Sequence, residues 1–589
     1  MRFEKVLKFG GSSLATKETI DQVVRIIQQA QQETQGRIAV VFSAFGKDKE
    51  AAPSEKKLTD RLIDVAESAF SGGDFTPAFQ AITQSTEEMV NQLLGDTEGN
   101  EIWNQLKGTT SQLTKSLRGF LESCQTMHEN LPEIFQNPKY RNQALDRILS
   151  YGELMTNTIL TCYLETKGLS ATMIDPREVI VTNNQHGNAR ILESFSEDLI
   201  QQAVALLDDE TLAVFPGFVG ATEEGRTTTL GRNGSDLTAT WVASALKASM
   251  VEIYSDVDGL MTADPRKVDR AKVVSNASLE ELAELAHWHT KVMHPRSIRP
   301  AADYFIPVKL KNTFRPEAPG TLILDHENPE GYPIKAISSI DEVSLLSLSG
   351  TDFLQAVGTA ERVTSCLKAA NISIVMFSQA SSEHTISVAV DPKDQQAANE
   401  ALEQEFRDEI LEGEMGQPSI DEHCAVIAIV GDQMKNRPGV AARFLKALAN
   451  VNVSAKIIAQ GGEERNISVA FQNGDGKTLN AALNAVHQEF FEPERTLRSL
   501  YIIGATGQIG RKLIELISDR REQIAERTGI ELNVLGLRNS RESWEAEGDR
   551  ITEPLESFLQ AVKTDHLPGR TVVDCTASEE VARHYDRLL

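Results

Sequence analysis

Short apolar runs bounded by turns alternate with stretches of helical period through the first 324 residues of the chain. The runs Lys5–Phe9, Ile38–Ser43, Leu212–Val219, Met250–Ser255 and Val308–Leu310 predict strands. Apolar positions spaced three and four apart predict helices over about Lys17–Gln32, Asp236–Leu246 and Leu279–Ala286. From about Asp60 to Leu164 the pattern is almost wholly helical and reads as a helical excursion within the same domain. Strands that alternate with helices predict a layered α/β fold with a largely parallel sheet. The charged stretch Lys47–Lys57 reads as a solvated surface loop.

The pattern changes after Leu324. Pro316, Pro319, Gly320, Pro329, Gly331 and Pro333 have linker composition and place a boundary near 325–338. Beyond it, residues 343–390 repeat as 424–471 at a constant offset of 81. Gly358 falls on Gly439, Arg362 on Arg443, Asn371 on Asn452, and Ile386-Ser387-Val388-Ala389 on Ile467-Ser468-Val469-Ala470. Each copy reads strand, glycine turn, helix, strand, turn, strand. The alternation of the last strands suits an antiparallel sheet, and two copies suggest pseudo-twofold pairing. Gln379 and Gln460 recur at the end of a strand just before a turn, a position suited to ligand capture. A further boundary falls near Glu492-Pro493. There a strand, Leu500–Ile503, feeds Gly504-Ala505-Thr506-Gly507-Gln508-Ile509-Gly510, a helix Arg511–Ser518, and strands at Leu532–Leu537 and Thr571–Cys575. That order is the context in which a glycine turn binds a dinucleotide.

Composition narrows the function classes. The 589 residues suggest about four domains at roughly 150 each. The net charge of −26 argues against nucleic acid or a polybasic membrane surface as partner. It leaves room for anionic ligands held by backbone N–H groups. No apolar run reaches the roughly 18–20 residues of a membrane span, and the first residues lack a signal-peptide pattern. The five cysteines form no CxxC pair and fit a reduced, cytoplasmic setting. No His, Cys and carboxylate pattern has metal-ligand spacing, so no protein-built metal site is expected.

Three segments carry candidate chemistry. Lys8-Phe9-Gly10-Gly11-Ser12-Ser13 ends a strand and opens a helix. Its glycines let the backbone approach an anion, and Lys8 adds a charge for phosphate. The segment Gly225 to Asp236 is a hydroxyl-rich strand leading to a second glycine turn, with Arg232 offering a planar fork to a carboxylate. Asp236, in the first turn of the following helix, is placed to organise a lysine or an Mg²⁺-linked network. Ser150-Tyr151-Gly152-Glu153 reads as an acid at the start of an apolar helix. A buried acid needs a partner, and a substrate ammonium would supply one.

These segments, KFGGSS, YGE and RTTTLGRNGSD, together resemble aspartate kinase of the amino-acid-kinase fold. SDVDGLMTADPR (Ser255–Arg266) and TKVMHPRSI (Thr290–Ile298) resemble that family's nucleotide-binding stretches. The repeat resembles paired ACT modules, and the tail with VVDCTASEEVA resembles the start of homoserine dehydrogenase. The order is similar to the bifunctional aspartokinase–homoserine dehydrogenase family along essentially the whole chain. The resemblance implies an αβα sandwich kinase domain over 1–325, tandem α+β ACT modules over 338–492, and a partial Rossmann domain over 497–589.

It also implies roles. Lys8 would neutralise the transferring phosphate, with Asp236 as organiser of cations. Arg232 would clamp the α-carboxylate of L-aspartate and Glu153 its ammonium, while Ser43, Thr59 and Phe218 line the substrate site. Gly10, Gly11, Ser12, Ser255, Asp256, Arg266 and Lys291 would attend ATP with Mg²⁺. Gln379 and Gln460 would contact an inhibitory amino acid, threonine in preference to lysine, and the ACT modules would join chains into a homo-oligomer. Gly504, Gly507 and Gly510 would face NADP(H). Three departures stand out: the Lys47–Lys57 loop before Thr59, Met261 where the family more often has Tyr, and GATGQIG in place of GxGxxG. Only 90 residues run from Leu500 to Leu589, so dehydrogenase activity is not expected from this chain alone. The alternatives are a catalytically silent amino-acid-sensing subunit, or a bifunctional enzyme whose dehydrogenase half is completed elsewhere.

Overall fold

The computed structural model describes residues 2–47, 56–287, 295–324, 332–350, 358–379, 385–474, 476–492, 496–528, 530–545, 550–564 and 570–583. The chain divides into two compact units, 1–487 and 488–589.

Among the described residues, the first unit opens with the strands β1 (Phe3–Phe9), β2 (Arg37–Phe42), β3 (Ala171–Met173), β4 (Val181–Thr182), β5 (Leu212–Pro216), β6 (Val219–Thr222), β7 (Thr227–Thr229), β8 (Met250–Ser255), β9 (Asn276–Ser278), β10 (Val308–Asn312) and β11 (Thr321–Leu324). The α-helices of the described residues that accompany them are α1 (Lys17–Glu33), α2 (Leu58–Phe70), α3 (Thr76–Leu94), α4 (Glu101–Asn130), α5 (Pro138–Thr166), α6 (Pro176–Val179), α7 (Glu193–Ala205), α8 (Gly234–Ala245), α9 (Leu279–His287) and α10 (Pro295–Asp303). The main sheet has the order β3-β5-β2-β1-β8-β10-β11-β9. Its first six strands are parallel, and β10 and β11 pair antiparallel.

Alternation along the strands feeds two cores. Val6, Ala39, Val41 and Phe215 point to the layer containing α7 and α8, and Leu7, Phe9, Val40 and Phe42 to the layer containing α1 to α5. Burial of both faces is what lets these parallel strands read as continuous apolar runs.

Several expectations need correction. The run Leu212–Val219 is two strands, because Gly217 and Phe218 turn the chain and Phe218 sits at φ 69°. The first glycine turn opens a 3₁₀ turn, Gly11–Leu14, and not the helix itself; α1 starts at Lys17, as its pattern predicts, where Thr16 and Thr19 form a reciprocal cap. Glu153 does not start a helix. It lies in the middle of α5, whose start is set by the Asn137 cap and Pro138.

The repeat forms one six-stranded antiparallel sheet from β12 (Ala336–Ser349), β13 (Ile374–Gln379), β14 (Thr385–Val390), β15 (Ser419–Val430), β16 (Ala455–Gln460) and β17 (Asn466–Gln472). The order is β13-β14-β12-β15-β17-β16. At its centre Val343 pairs with Cys424, its own repeat equivalent, which marks an approximate twofold axis. Each copy carries a second helix after its last strand, beginning at Gln395 and Thr478, that the sequence pattern left out. The repeated glycines hold left-handed backbone, φ 100° at Gly358 and 90° at Gly439, and so do Asn371 and Asn452 at 59° and 58°. These are the residue types that tolerate that conformation. One sheet face packs on its own helices through Leu346, Val363, Val388 and Leu402. The other, with Leu345, Ala389, Val426 and Ala470, continues the cluster that contains Leu282 and Leu285 of α9.

The second unit holds β18 (Thr496–Ile503), β19 (Ile530–Arg538), β20 (Glu542–Glu545), β21 (Ile551–Thr552) and β22 (Thr571–Asp574). Their order is β21-β20-β19-β18-β22, with β18 parallel to both neighbours. The helix after β18 runs Gln508–Thr528, well beyond the expected Ser518.

Candidate active site

The carboxyl ends of the parallel strands meet at one edge of the main sheet, the usual place for a ligand in open α/β folds. Backbone bonds lace the segments leaving it: Ser43 N donates to Phe9 O (3.2 Å), Gly217 N to Phe42 O (2.9 Å), Gly10 N to Tyr254 O (3.4 Å) and Thr313 N to Ser255 O (2.9 Å). The two loops carrying Gly11 and Gly46 touch so closely that a Cβ on Gly46 would lie 2.0 Å from Gly11 O. Ser13 and Thr313 hydroxyls meet at 2.6 Å beneath them.

Lys8 shares the strand parity of Val6, so it faces the α8 layer. Its Nζ lies 2.5 Å from Asp236 Oδ1, and both residues are buried. Asp236 Oδ2 also accepts from Asn233 Nδ2 at 3.3 Å. The second glycine turn is left-handed at Gly231 (φ 77°) and Asn233 (φ 57°). Asparagine tolerates that backbone, so GRNGSD keeps the turn without a glycine at 233. Arg232 at its tip is exposed and has no hydrogen bond or ion pair to the described residues. Phe218 leans on Gly234, where a Cβ would come within 2.6 Å of its ring.

Glu153 approaches the same edge from α5. It is 4% exposed, and its Oε2 has no hydrogen-bond partner among the described residues. Burial raises its pKa from 4.5 to about 8, against the Ala44 N–H bond to it, which lowers it. One turn further on, Thr156 Oγ1 accepts from Phe45 N (3.1 Å) and Asn157 Nδ2 donates to Phe42 O (3.3 Å). Glu153, Thr156 and Asn157 have the i, i+3, i+4 spacing of one helix face, which fastens α5 to the loop after β2. Thr156 and Asn157 did not stand out in the sequence, although that spacing was there to be read.

The other predicted residues are placed as follows. Ser43 is half-buried in the loop after β2, and Thr59 is the second residue of α2, beside Leu58, which packs over Gly152. Ser255 ends β8, and Asp256 is exposed in the turn after it. Arg266 is exposed and forked to Asp264, with Nε 3.0 Å and Nη2 2.5 Å from its oxygens. Lys291 lies outside the described residues. Gln379 and Gln460 end β13 and β16, the two edge strands of the repeat sheet.

Gln460 helps line a cavity of about 330 Å³, with Met434, Asn436, Gly439 and Glu464. Asp432, two residues before Met434, is buried against the start of α9. Its N–H donates to Glu281 Oε1 (2.7 Å), its carboxylate accepts from Ser278 Oγ, and Arg465 Nε lies 2.9 Å from it. Ser278 and Glu281 cap α9 reciprocally with each other's backbone. Two contacts thus tie the neighbourhood of the cavity to α9: Asp432, two residues before Met434, on Glu281, and Asn466, next to the lining residue Ile467, on Glu284.

In the second unit, Gly504 has φ 84°, and a Cβ on Gly510 would lie 2.2 Å from Gly504 O. This is a tight turn between a strand and a helix, with Ala505 and Thr506 between its first two glycines. Among the described residues, no group of three or more His, Cys, Asp or Glu converges on a metal position, and no helix is long and apolar enough to cross a membrane.

Comparison with known proteins places this geometry. Residues 4–312 match the amino acid kinase family, and 346–406 and 427–490 match the ACT domain. The bifunctional aspartokinase/homoserine dehydrogenase of Haemophilus influenzae is 31% identical over 601 residues, covering 99% of this chain and 70% of that protein. The chloroplastic bifunctional aspartokinase/homoserine dehydrogenase 1 of Zea mays is 31% identical over 602 residues, covering 98% and 62%. The chain thus spans between 62% and 70% of these relatives' lengths. Among solved structures, Clostridium acetobutylicum aspartate kinase matches with a TM-score of 0.65 at 26% identity, over 82% of this chain and 100% of that one. E. coli aspartokinase III, solved with aspartate and ADP, has the same TM-score at 24% identity over 83% and 100%, a likeness of fold.

Proposed function

This chain belongs to the bifunctional aspartokinase/homoserine dehydrogenase family, and on that premise we propose that it transfers the γ-phosphoryl group of ATP to the β-carboxylate of L-aspartate, giving ADP and 4-phospho-L-aspartate. The observation that carries this reading is the buried Lys8–Asp236 pair between two glycine turns at the carboxyl edge of the sheet.

The chemistry asks for positioning and charge stabilisation and for no general base. A β-carboxylate with an ordinary pKa of about 3.9 is already ionised at neutral pH and can attack the γ-phosphorus directly. Lys8, held in place by Asp236, and the N–H groups of the Gly10–Ser12 turn would stabilise charge on the transferring phosphoryl oxygens. Mg²⁺ enters as part of the nucleotide substrate, bound by phosphate oxygens. Ser255 and Asp256 would meet the nucleotide beside the turn, as would Lys291; Arg266 would have to exchange its fork on Asp264 to do so.

Arg232, exposed and unengaged by described residues, would take the substrate α-carboxylate. Glu153 would take the α-ammonium, which replaces the missing partner of Oε2 and draws the carboxyl into its ionised form. Ser43, Thr59 and Phe218 would line the space between.

The cavity at Gln460 would hold an inhibitory amino acid, with threonine favoured over lysine. Asp432 supports this part of the reading, since it lies two residues before Met434, which lines the cavity, and bonds to the cap of α9. The ACT modules would join chains into a homo-oligomer. NADP(H) at Gly504–Gly510 is supported by the shape of that turn alone.

The test is an aspartyl-hydroxamate assay with ATP, Mg²⁺ and aspartate, repeated with threonine and with lysine. Absence of aspartate-dependent product sinks the kinase reading. Turnover that ignores both amino acids sinks the regulatory one.

A further inference from the structure

Asp146 lies on α5, seven residues before Glu153, and is 1% exposed. A carboxylate so deeply buried carries a desolvation cost that only several donors offset. Its donors come from two segments distant in sequence. Thr229 Oγ1 donates to Oδ1 at 2.5 Å, Gly187 N lies 3.1 and 3.0 Å from the two oxygens, and His186 Nδ1 is 2.8 Å from Oδ2.

Both segments wall the second glycine turn. Thr229 ends β7, three residues before Arg232. Asn188, next to Gly187, abuts Gly231 so closely that a Cβ there would lie 2.8 Å from Asn188 Oδ1. Arg296 closes the arrangement by donating to Asn188 Oδ1, Ala189 O and Leu230 O. Since Arg232 has no described partner, its place is set by this backbone.

Residues i and i+7 lie on one helix face, about two turns or ~10 Å apart. Helix α5 therefore holds Glu153 at one point and the base of the Arg232 turn at another. We propose that Asp146 is a positioning residue that fixes the separation between Arg232 and Glu153, and so selects a substrate bearing a carboxylate and an ammonium on one carbon. Its hydrogen bonds go to His186, Gly187 and Thr229, and not to the pair Lys8–Asp236.

The inference rests on the reading above, and the experiment separates the two. Steady-state kinetics with the full chain compare the parent with Asp146→Asn, Thr229→Val and Thr229→Ser. Loss of a donor to a buried carboxylate should raise the aspartate KM about tenfold or more in Asp146→Asn and Thr229→Val. The kcat at saturating aspartate should stay within about threefold, and the ATP KM should not move. Thr229→Ser, which keeps the hydroxyl, should restore the parental aspartate KM. A folding role alone would not give that split or that rescue. If Asp146→Asn does not fold, the Thr229 pair decides.

A Thr229→Val enzyme with the parental aspartate KM, or with both KM values raised alike, overturns the inference and leaves the kinase reading standing. A parent chain that neither binds aspartate in calorimetry nor turns it over overturns both.

Discussion

The ammonium of Lys8 and the carboxylate of Asp236 meet at 2.5 Å, although 228 residues separate them, and both are buried. Removing one member of a buried ion pair strands the other charge at a cost of about 3–5 kcal/mol. Lys8→Met should therefore lower both turnover and melting temperature. Adding Asp236→Asn should recover most of the melting temperature and none of the turnover, which should stay down by about 10²–10³-fold. Thermal unfolding and initial rates on the single and double variants check this. Recovery of turnover in the double variant would remove Lys8 from the chemistry.

Glu153 makes a pH prediction. Its folded pKa of about 8 lies above its ordinary 4.5, so the folded chain keeps a proton that the unfolded chain has lost between those values. This contribution to stability falls as pH rises from 4.5 through 8. Glu153→Gln should flatten that slope in denaturant titrations. Aspartate, by bringing an ammonium to the carboxylate, should release up to about one proton on binding near neutral pH. Calorimetry in buffers of different ionisation enthalpy measures the release, and the Gln variant should show none.

Backbone geometry sets a third test. Gly46→Ala places a Cβ against Gly11 O, and backbone cannot yield as a side-chain tip can. The two loops must part, and the nucleotide KM should rise. Asn233→Val forces a β-branched residue into left-handed backbone and should cost about 1–2 kcal/mol. Asn233→Gly should be tolerated. A Gly46→Ala enzyme with an unchanged nucleotide KM would show that loop contact to be dispensable.

Regulation should pass through Asp432. Gln460→Ala, at the cavity itself, should raise the half-inhibiting threonine concentration about tenfold, equivalent to about 1.4 kcal/mol of effector binding. Asp432→Asn keeps its N–H bond to Glu281 but weakens its hold on Arg465 and Ser278. It should blunt inhibition while threonine still binds. Parallel inhibition curves and calorimetry distinguish lost binding from lost transmission.

Much of the fold was legible because its cues are local. Met250–Ser255 was read to the residue, since β8 lies between two parallel strands and both its faces are buried, Val251 and Ile253 in one core and Tyr254 in the other. The repeated Gly358/Gly439 and Asn371/Asn452 mark left-handed positions that few residues can occupy. Leu212–Val219 misled because hydrophobicity continues through Gly217-Phe218 while the backbone turns there. Glu153 misled because an acid reads as a helix start, whereas here α5 runs on past it on both sides.

The sequence by itself determined the strand and helix periods, the glycine turns and the repeat, because each depends on the φ/ψ and burial pattern of neighbouring residues. Only the tertiary structure decided which charges meet: Lys8 with Asp236, Asp146 with Thr229 and His186, Asp432 with Ser278 and Arg465. Of those pairings, the first follows from strand parity, and the others from the way α5, α9 and the loops pack against the sheets. They matter because a desolvated charge must find its partner wherever the fold brings one, however far off in the chain.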